Sequence, residues 1–236
     1  MRNRTKIFAL PYAFGASYIY NGVKNELSDY YDVIPLEYPG HGTRFSEGLI
    51  PNIIDLAEDI IVQIKGSLND DDEYALLGYS MGSLVGFEVC NLVKKRGFRH
   101  PETFFAFASP APSREVEKKE YEKYSIEDIV GVLAEGSATP KLILENESML
   151  EVLKPIVIND LIALRDYSAS DLKIMCPVVA VRGEQESMYD IENFYEWEQF
   201  SDDKIEYHVI KGGHFFMFEN DTNLDSCCEI IRNKMS

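Results

Sequence analysis

The stretch Gly78-Tyr79-Ser80-Met81-Gly82 sets a serine midway between two glycines. A serine hydroxyl is a weak nucleophile until a base stands within hydrogen-bond reach, and it is best presented on a sharp strand-to-helix turn. Side chains two residues before or after such a serine would collide with the turn, so glycine is required there. The local context fits this reading. An apolar run, Tyr74–Leu77, leads directly into the motif, and an amphipathic stretch from Leu84 leads out of it. A helix starting behind Ser80 also aims its positive N-terminal end at the point where an oxyanion would form. A chance G-x-S-x-G in a loop means little, but one wedged between a buried strand and a helix is a strong signal.

In the α/β-hydrolase fold, which this arrangement predicts, the partners follow in the order Ser, acid, His. Of the four histidines, His214 comes last and follows Lys211-Gly212-Gly213, a flexible approach from the final apolar run. His208 falls inside that run and is expected to pack, His100 lies on a polar turn, and His41 lies in the loop Pro39-Gly40-His41-Gly42, where it could line the site but exposure is the expectation. The acid should follow the run Val178–Val181, and the carboxylates there are Glu184, Glu186 and Asp190. Glu186 is best placed, Asp190 is its rival, and Glu184 stands third; glutamate serves as the acid in some enzymes of this fold. An oxyanion hole needs two backbone N–H groups. Met81, next to the nucleophile, supplies one, and Ala13 in the loop Pro11-Tyr12-Ala13-Phe14-Gly15-Ala16 is the expected second.

Short apolar runs must hold these loops in place. Ile7–Leu10, Val33–Leu36, Tyr74–Leu77, Phe104–Ala108, Val178–Val181 and Tyr207–Ile210 read as strands buried on both faces. Between them, Ile53–Leu68 and Leu84–Val93 carry apolar residues at helical spacing, the second stopping at Gly97. This rhythm predicts a mostly parallel sheet flanked by helices, in one domain covering 1–236. The interval before Val178 is too long for an ordinary crossover. It contains the charged run Glu115–Lys123, a capping box at Ser125 and Asp128 opening a helix to Gly136, and apolar-periodic stretches around Leu142–Leu153 and Ile156–Leu164. An all-helical insertion over approximately 112–170 reads as a lid, or else as a layer that only enlarges the core. Within it, Met149, Leu153 and Leu161 could line a pocket or pack as core.

The formal net charge of −17 argues against nucleic acid and anionic membranes as partners, since phosphates would be repelled. No stretch approaches the roughly 20 apolar residues that span a bilayer, and the run after the basic Met1–Lys6 segment is too short for a signal-peptide core. Cys90, Cys176, Cys227 and Cys228 are not spaced as a metal site and read as reduced thiols of a cytoplasmic protein.

With these pieces in order, the sequence resembles the type II thioesterases that accompany nonribosomal peptide and polyketide synthases. The resemblance runs nearly end to end. It rests on Pro11-Tyr12-Ala13-Phe14-Gly15, Tyr38-Pro39-Gly40-His41-Gly42-Thr43-Arg44, the serine motif, Gly136-Ser137-Ala138-Thr139-Pro140, Pro155 with Asp160, Tyr167, and Gly212-Gly213-His214-Phe215-Phe216. Three positions depart from the family pattern: Phe14 replaces a glycine, His41-Gly42 stands where Arg-Glu is common, and Glu186 stands where the acid is usually aspartate. The resemblance implies hydrolysis of acyl groups from the phosphopantetheine arm of an acyl or peptidyl carrier protein, by a monomer with no cofactor of its own. Lys118, Lys119 and Lys123 are candidates for a basic docking patch toward an acidic carrier, or a solvated helix face. Two rival readings remain: an esterase or lipase-like hydrolase of small molecules, and a hydrolase-like binding protein without turnover.

Overall fold

The computed structural model describes residues 4–69, 71–113, 118–136, 139–170 and 172–236. Six strands form one parallel sheet: β1 (Lys6–Leu10), β2 (Asp32–Pro35), β3 (Tyr74–Tyr79), β4 (Phe104–Phe107), β5 (Val178–Gly183) and β6 (Ile205–Ile210), in the order β2-β1-β3-β4-β5-β6. The chain first steps from β1 outward to β2, then returns to lay β3 on the other side of β1. That reversal opens a crevice beyond the carboxyl ends of β1 and β3, the place where open α/β sheets bind ligands. The loop carrying Ala13 and the turn carrying Ser80 leave the sheet at this point.

Side chains alternate across each strand. Phe8, Leu10, Leu76, Phe104 and Ala180 face a core closed by α2 (Ile53–Ser67) and α3 (Met81–Arg96). Ile7, Ala9, Leu77, Phe105 and Val179 face an opposite core closed by α1 (Asn21–Leu27) and the C-terminal α9 (Asp221–Met235). Burial on both faces explains why the inner strands β1, β3, β4 and β5 read as apolar runs; β2 and β6, expected to be covered likewise, lie at the sheet edges and are only partly buried. Gly97 ends α3 at φ +65° in the left-handed conformation, as its position after the apolar stretch predicts. All four cysteines are free and buried, and burial pushes the Cys228 thiol up to about 12.

Between β4 and β5 lie α4 (Ile126–Gly136), α5 (Lys141–Leu144) and α6 (Glu147–Arg165). The box that opens α4 is present: Asp128 Oδ2 accepts the Ser125 amide at 2.8 Å, and the Asp128 amide donates to Ser125 Oγ at 3.2 Å. These helices share a small core of their own around Ile129, Leu133, Leu150 and Val157. The two apolar-periodic stretches expected after Pro140 are instead a short turn and one continuous helix running through Pro155. The proline removes the hydrogen bond to the carbonyl of Glu151, but both residues are exposed, so water can take its place. Of the segments read from sequence, Glu115–Glu117 and Ser137-Ala138 lie outside the described residues. The short helices α7 (Ile191–Tyr195) and α8 (Phe216–Glu219) follow β5 and β6 and carry the last loops of the site.

Candidate active site

Ser80 sits between β3 and α3 with φ +52° and ψ −116°, a conformation that L residues rarely adopt. Such strain persists only where the surroundings over-determine it. Here the Ser80 amide donates to the Phe107 carbonyl at 2.8 Å, and the two glycines let the turn close. A Cβ on Gly78 would stand 2.4 Å from the Gly82 carbonyl oxygen, and one on Gly82 would stand 2.2 Å from that of Leu10. No side chain fits at either position.

The structure brings three of the expected residues into one chain of contacts. His214 Nε2 lies 3.0 Å from Ser80 Oγ, and His214 Nδ1 lies 2.7 Å from Glu186 Oε2. The Glu186 carboxylate is wholly buried, and its other oxygen accepts the Met188 amide at 2.8 Å. The rival carboxylates are elsewhere. Asp190 is exposed at the start of α7, and Glu184 is exposed and accepts the Gln185 side-chain amide.

Several residues that sequence reasoning passed over fix this geometry. Tyr79, buried at the end of β3, donates its hydroxyl to the His214 carbonyl at 2.6 Å. Glu219 Oε1 accepts the Gly213 amide at 2.8 Å. The acid loop and the histidine loop are laced together, since the Gln185 amide donates to the Gly212 carbonyl at 2.9 Å and the Gly212 amide donates to Gln185 Oε1 at 2.7 Å. A Cβ on Gly183 would lie 2.2 Å from the Gly213 carbonyl oxygen. The signal for Tyr79 was available: a tyrosine in a buried strand must find a partner for its hydroxyl.

The loop after β1 turns through a bond from the Gly15 amide to the Tyr12 carbonyl at 3.1 Å, and Phe14 within it has φ +67°. That angle is one that glycine adopts without steric cost. As the first residue of α3, Met81 has an amide with no acceptor inside its own helix.

His41 is not exposed, contrary to expectation: it is 2% exposed, and its Nε2 lies 3.0 Å from Oδ2 of Asp160 on α6, itself 0% exposed. Its Nδ1 faces the Pro39 carbonyl at 3.0 Å. Burial alone would push the His41 pKa down, but the hydrogen bond and charge of Asp160, with help from the Pro39 carbonyl and Glu37, raise it above its ordinary value. His208 also departs from expectation, being half-exposed on the edge strand β6 and 2.7 Å from Glu206 rather than packed.

Residues 5–235 match the family model of the thioesterase domain. The chain belongs to the thioesterase domain family. Among proteins of this kind it is similar to the gramicidin S biosynthesis protein GrsT of Aneurinibacillus migulanus, at 23% identity over 92% of this chain and 84% of that one. It is 25% identical to the thioesterase TesA of Mycobacterium marinum, over 95% of this chain and 89% of that one. Its fold superposes on that of BorB, a type II thioesterase from the borrelidin biosynthetic cluster, with a TM-score of 0.87 and 25% identity, covering 100% of this chain and 94% of the other.

In this thioesterase-family chain a cavity of about 670 Å³ opens beside Ser80 and His214, lined among others by Leu84, Leu161, Leu164 and Tyr167. A smaller one of about 240 Å³ lies on the side of Ala13 and Phe14 and also reaches Ser80 and His214. Leu161 therefore lines the cavities, Leu153 packs on the helical insertion, and Met149 is 47% exposed and does neither. Among the described residues no cluster of His, Cys, Asp or Glu could hold a metal ion, and no helix is long and apolar enough to cross a membrane.

Proposed function

We propose that the chain is an editing-type thioesterase, hydrolysing acyl groups from the phosphopantetheine arm of carrier proteins in a nonribosomal peptide or polyketide synthase. The observation that carries this reading is the relay from Glu186 through His214 to Ser80, at 2.7 and 3.0 Å, beneath a largely apolar cavity in a thioesterase-family fold. His214 takes the Ser80 proton as the oxygen attacks the thioester carbonyl. The Met81 and Ala13 amides receive the oxyanion, and as the tetrahedral intermediate collapses His214 gives that proton to the departing sulfur, so the thiol leaves and the imidazole is neutral again. Water, deprotonated by His214, then attacks the acyl-serine, and Ser80 recovers its proton as the acid departs. Glu186 holds the ring in the tautomer that both steps need and stabilises the imidazolium.

The names of GrsT and BorB tie those relatives to gramicidin S biosynthesis and to the borrelidin biosynthetic cluster, which supports a carrier protein as partner. The helices of the insertion over 112–170 act as a lid, since Leu161 and Leu164 of α6 form part of the cavity wall. Lys119 reaches the smaller cavity, and Lys123 is held 2.6 Å from Glu120.

Acyl-loaded carrier proteins, acyl-pantetheine thioesters and oxygen esters of equal chain length make the deciding panel. Thioester turnover, fastest on carrier proteins and absent in Ser80→Ala, is expected. A strong preference for oxygen esters overturns the reading, as does a folded protein whose Ser80 fails to react with a fluorophosphonate.

A further inference from the structure

Asp160 touches neither Ser80 nor His214, yet a buried carboxylate on a lid helix needs a reason. Removing a carboxylate from water is costly unless it is paired and hydrogen-bonded. Its Oδ2 accepts the backbone amide of Phe14 at 2.7 Å and His41 Nε2 at 3.0 Å, and its Oδ1 accepts the Asn159 side-chain amide at 3.0 Å. The same Asn159 nitrogen donates to the Ile50 carbonyl at 3.1 Å. Two adjacent residues of α6 thus bind the loops after β1 and β2, which both border the crevice.

The partners of His41 define its charge. One ring nitrogen faces a carbonyl oxygen and the other a carboxylate, and neither can donate. A proton on each ring nitrogen satisfies both acceptors, and although burial lowers the His41 pKa, the hydrogen bond and charge of Asp160 raise it overall, which favours that cation. Glu37 braces the same loop from the far side, accepting the Ser17 and Thr43 amides at 2.9 and 3.2 Å.

What Asp160 grips is the residue next to the proposed oxyanion donor. Phe14 is held at φ +67°, and its side chain packs both on the main core and on the core of the helical insertion. A strained residue adopts such an angle only when something fixes it, and here the Asp160 carboxylate fixes its amide. We infer that Asp160, paired with His41, is a positioning residue: seating α6 over the crevice pins Phe14 and thereby sets the Ala13 amide for the oxyanion. The lid and the oxyanion hole are in this way assembled by one contact, so acyl transfer is fast only with α6 in place. This inference rests on the reading of Ser80 and Ala13 given above.

The test measures kcat and KM for an acyl-pantetheine thioester in Asp160→Ala, Asp160→Asn and His41→Gln, with melting curves and the rate of Ser80 labelling by a fluorophosphonate. Loss of one oxyanion donor lowers kcat by about 10²–10³ in other hydrolases, so a loosened one is expected to cost about 10- to 100-fold in Asp160→Ala. KM should change little, and labelling should slow in parallel because the phosphonyl oxygen uses the same hole. Asp160→Asn keeps an acceptor for Phe14 and should fall between Ala and wild type, which keeps the inference testable if the alanine variant does not fold. A folded variant whose kcat stays within about threefold of wild type, or whose KM rises with kcat and labelling unchanged, overturns the inference. Should the wild type label rapidly but hydrolyse no thioester, the substrate assignment fails, while the labelling rates still decide the role of Asp160.

Discussion

The choice of acid is best examined by replacing Glu186 with glutamine. Both groups that approach its carboxylate are donors: the Met188 amide at 2.8 Å on Oε1 and His214 Nδ1 at 2.7 Å on Oε2. A carboxamide has one acceptor and one donor end. If its oxygen stays on Nδ1, its NH₂ confronts the Met188 N–H; if it flips, the NH₂ selects the tautomer with the proton on Nε2, facing Ser80. That tautomer cannot take the serine proton. The analogous acid-to-amide exchange in a serine protease lowers kcat on the order of 10⁴, equivalent to about 5.5 kcal/mol of transition-state stabilisation. Glu186→Asp tests reach, because withdrawing the carboxylate by one carbon–carbon bond of about 1.5 Å opens the gap to about 4 Å, outside hydrogen-bond range. Thiol release from an acyl-pantetheine thioester, followed with a chromogenic thiol reagent, is the assay. Glu186→Gln should lose on the order of 10⁴ and Glu186→Asp clearly less, with Asp190→Asn within about twofold of wild type because its exposed side chain touches none of the three. Near-normal turnover in Glu186→Gln, or a larger loss in Asp190→Asn, would refute this account.

Three further outcomes follow from the same geometry. Gly82→Ala sets a Cβ 2.2 Å from the Leu10 carbonyl oxygen, against backbone; a loss of stability at the upper end of the roughly 1–3 kcal/mol of overpacking is expected in urea melts, with kcat falling too. Tyr79→Phe removes the hydroxyl that the His214 carbonyl accepts, so stability should drop by about 1–3 kcal/mol and kcat by several-fold, read by melts and thioester turnover. His41 is titratable among Asp160, Glu37 and the ring of Tyr38, and its pKa in the fold is raised. Its stabilising contribution is therefore complete below about pH 6.5, its ordinary value, and fades as pH rises through the raised one. The melting-temperature gap between wild type and His41→Leu should accordingly narrow as pH rises above neutral, and a gap that widens would reverse the sign of this argument.

Features governed by neighbours in sequence were legible. The six strands appear within a few residues of their apolar runs; for the four inner strands, continuous apolar character is what two covered faces require. The box at Ser125 and Asp128 and the stop at Gly97 were readable because each works over three or four residues. His41 was not. A histidine flanked by glycines looks like a loop residue, and its partner Asp160 lies 119 positions further along the chain. The selection among Glu184, Glu186 and Asp190 was equally non-local, because it is decided by how closely the loops at Gly183 and Gly213 can approach. For Tyr79, at the variable position of the serine motif, the need for a hydroxyl partner is readable from a buried strand, but the identity of that partner, the His214 carbonyl 135 positions away, is not.

The three departures from the common thioesterase pattern all lie around this crevice, and each has a physical counterpart nearby. The longer reach of Glu186 is absorbed by tying one of its oxygens to the Met188 amide, which leaves the other at 2.7 Å from the histidine. Phe14 takes a backbone angle that costs an L residue about 1–2 kcal/mol, but its ring packs against the core of the helical insertion and its amide donates to the Asp160 carboxylate at 2.7 Å. His41 in turn is the partner, favoured as a cation, without which Asp160 would be a buried, unpaired anion. Phe14, His41 and Asp160 thus form one energetic unit, in which removing any member exposes the cost carried by the other two. A sequence with glycine at 14 needs less help to adopt that turn, whereas in this chain the turn is tied to α6 through the Phe14 amide and Asp160.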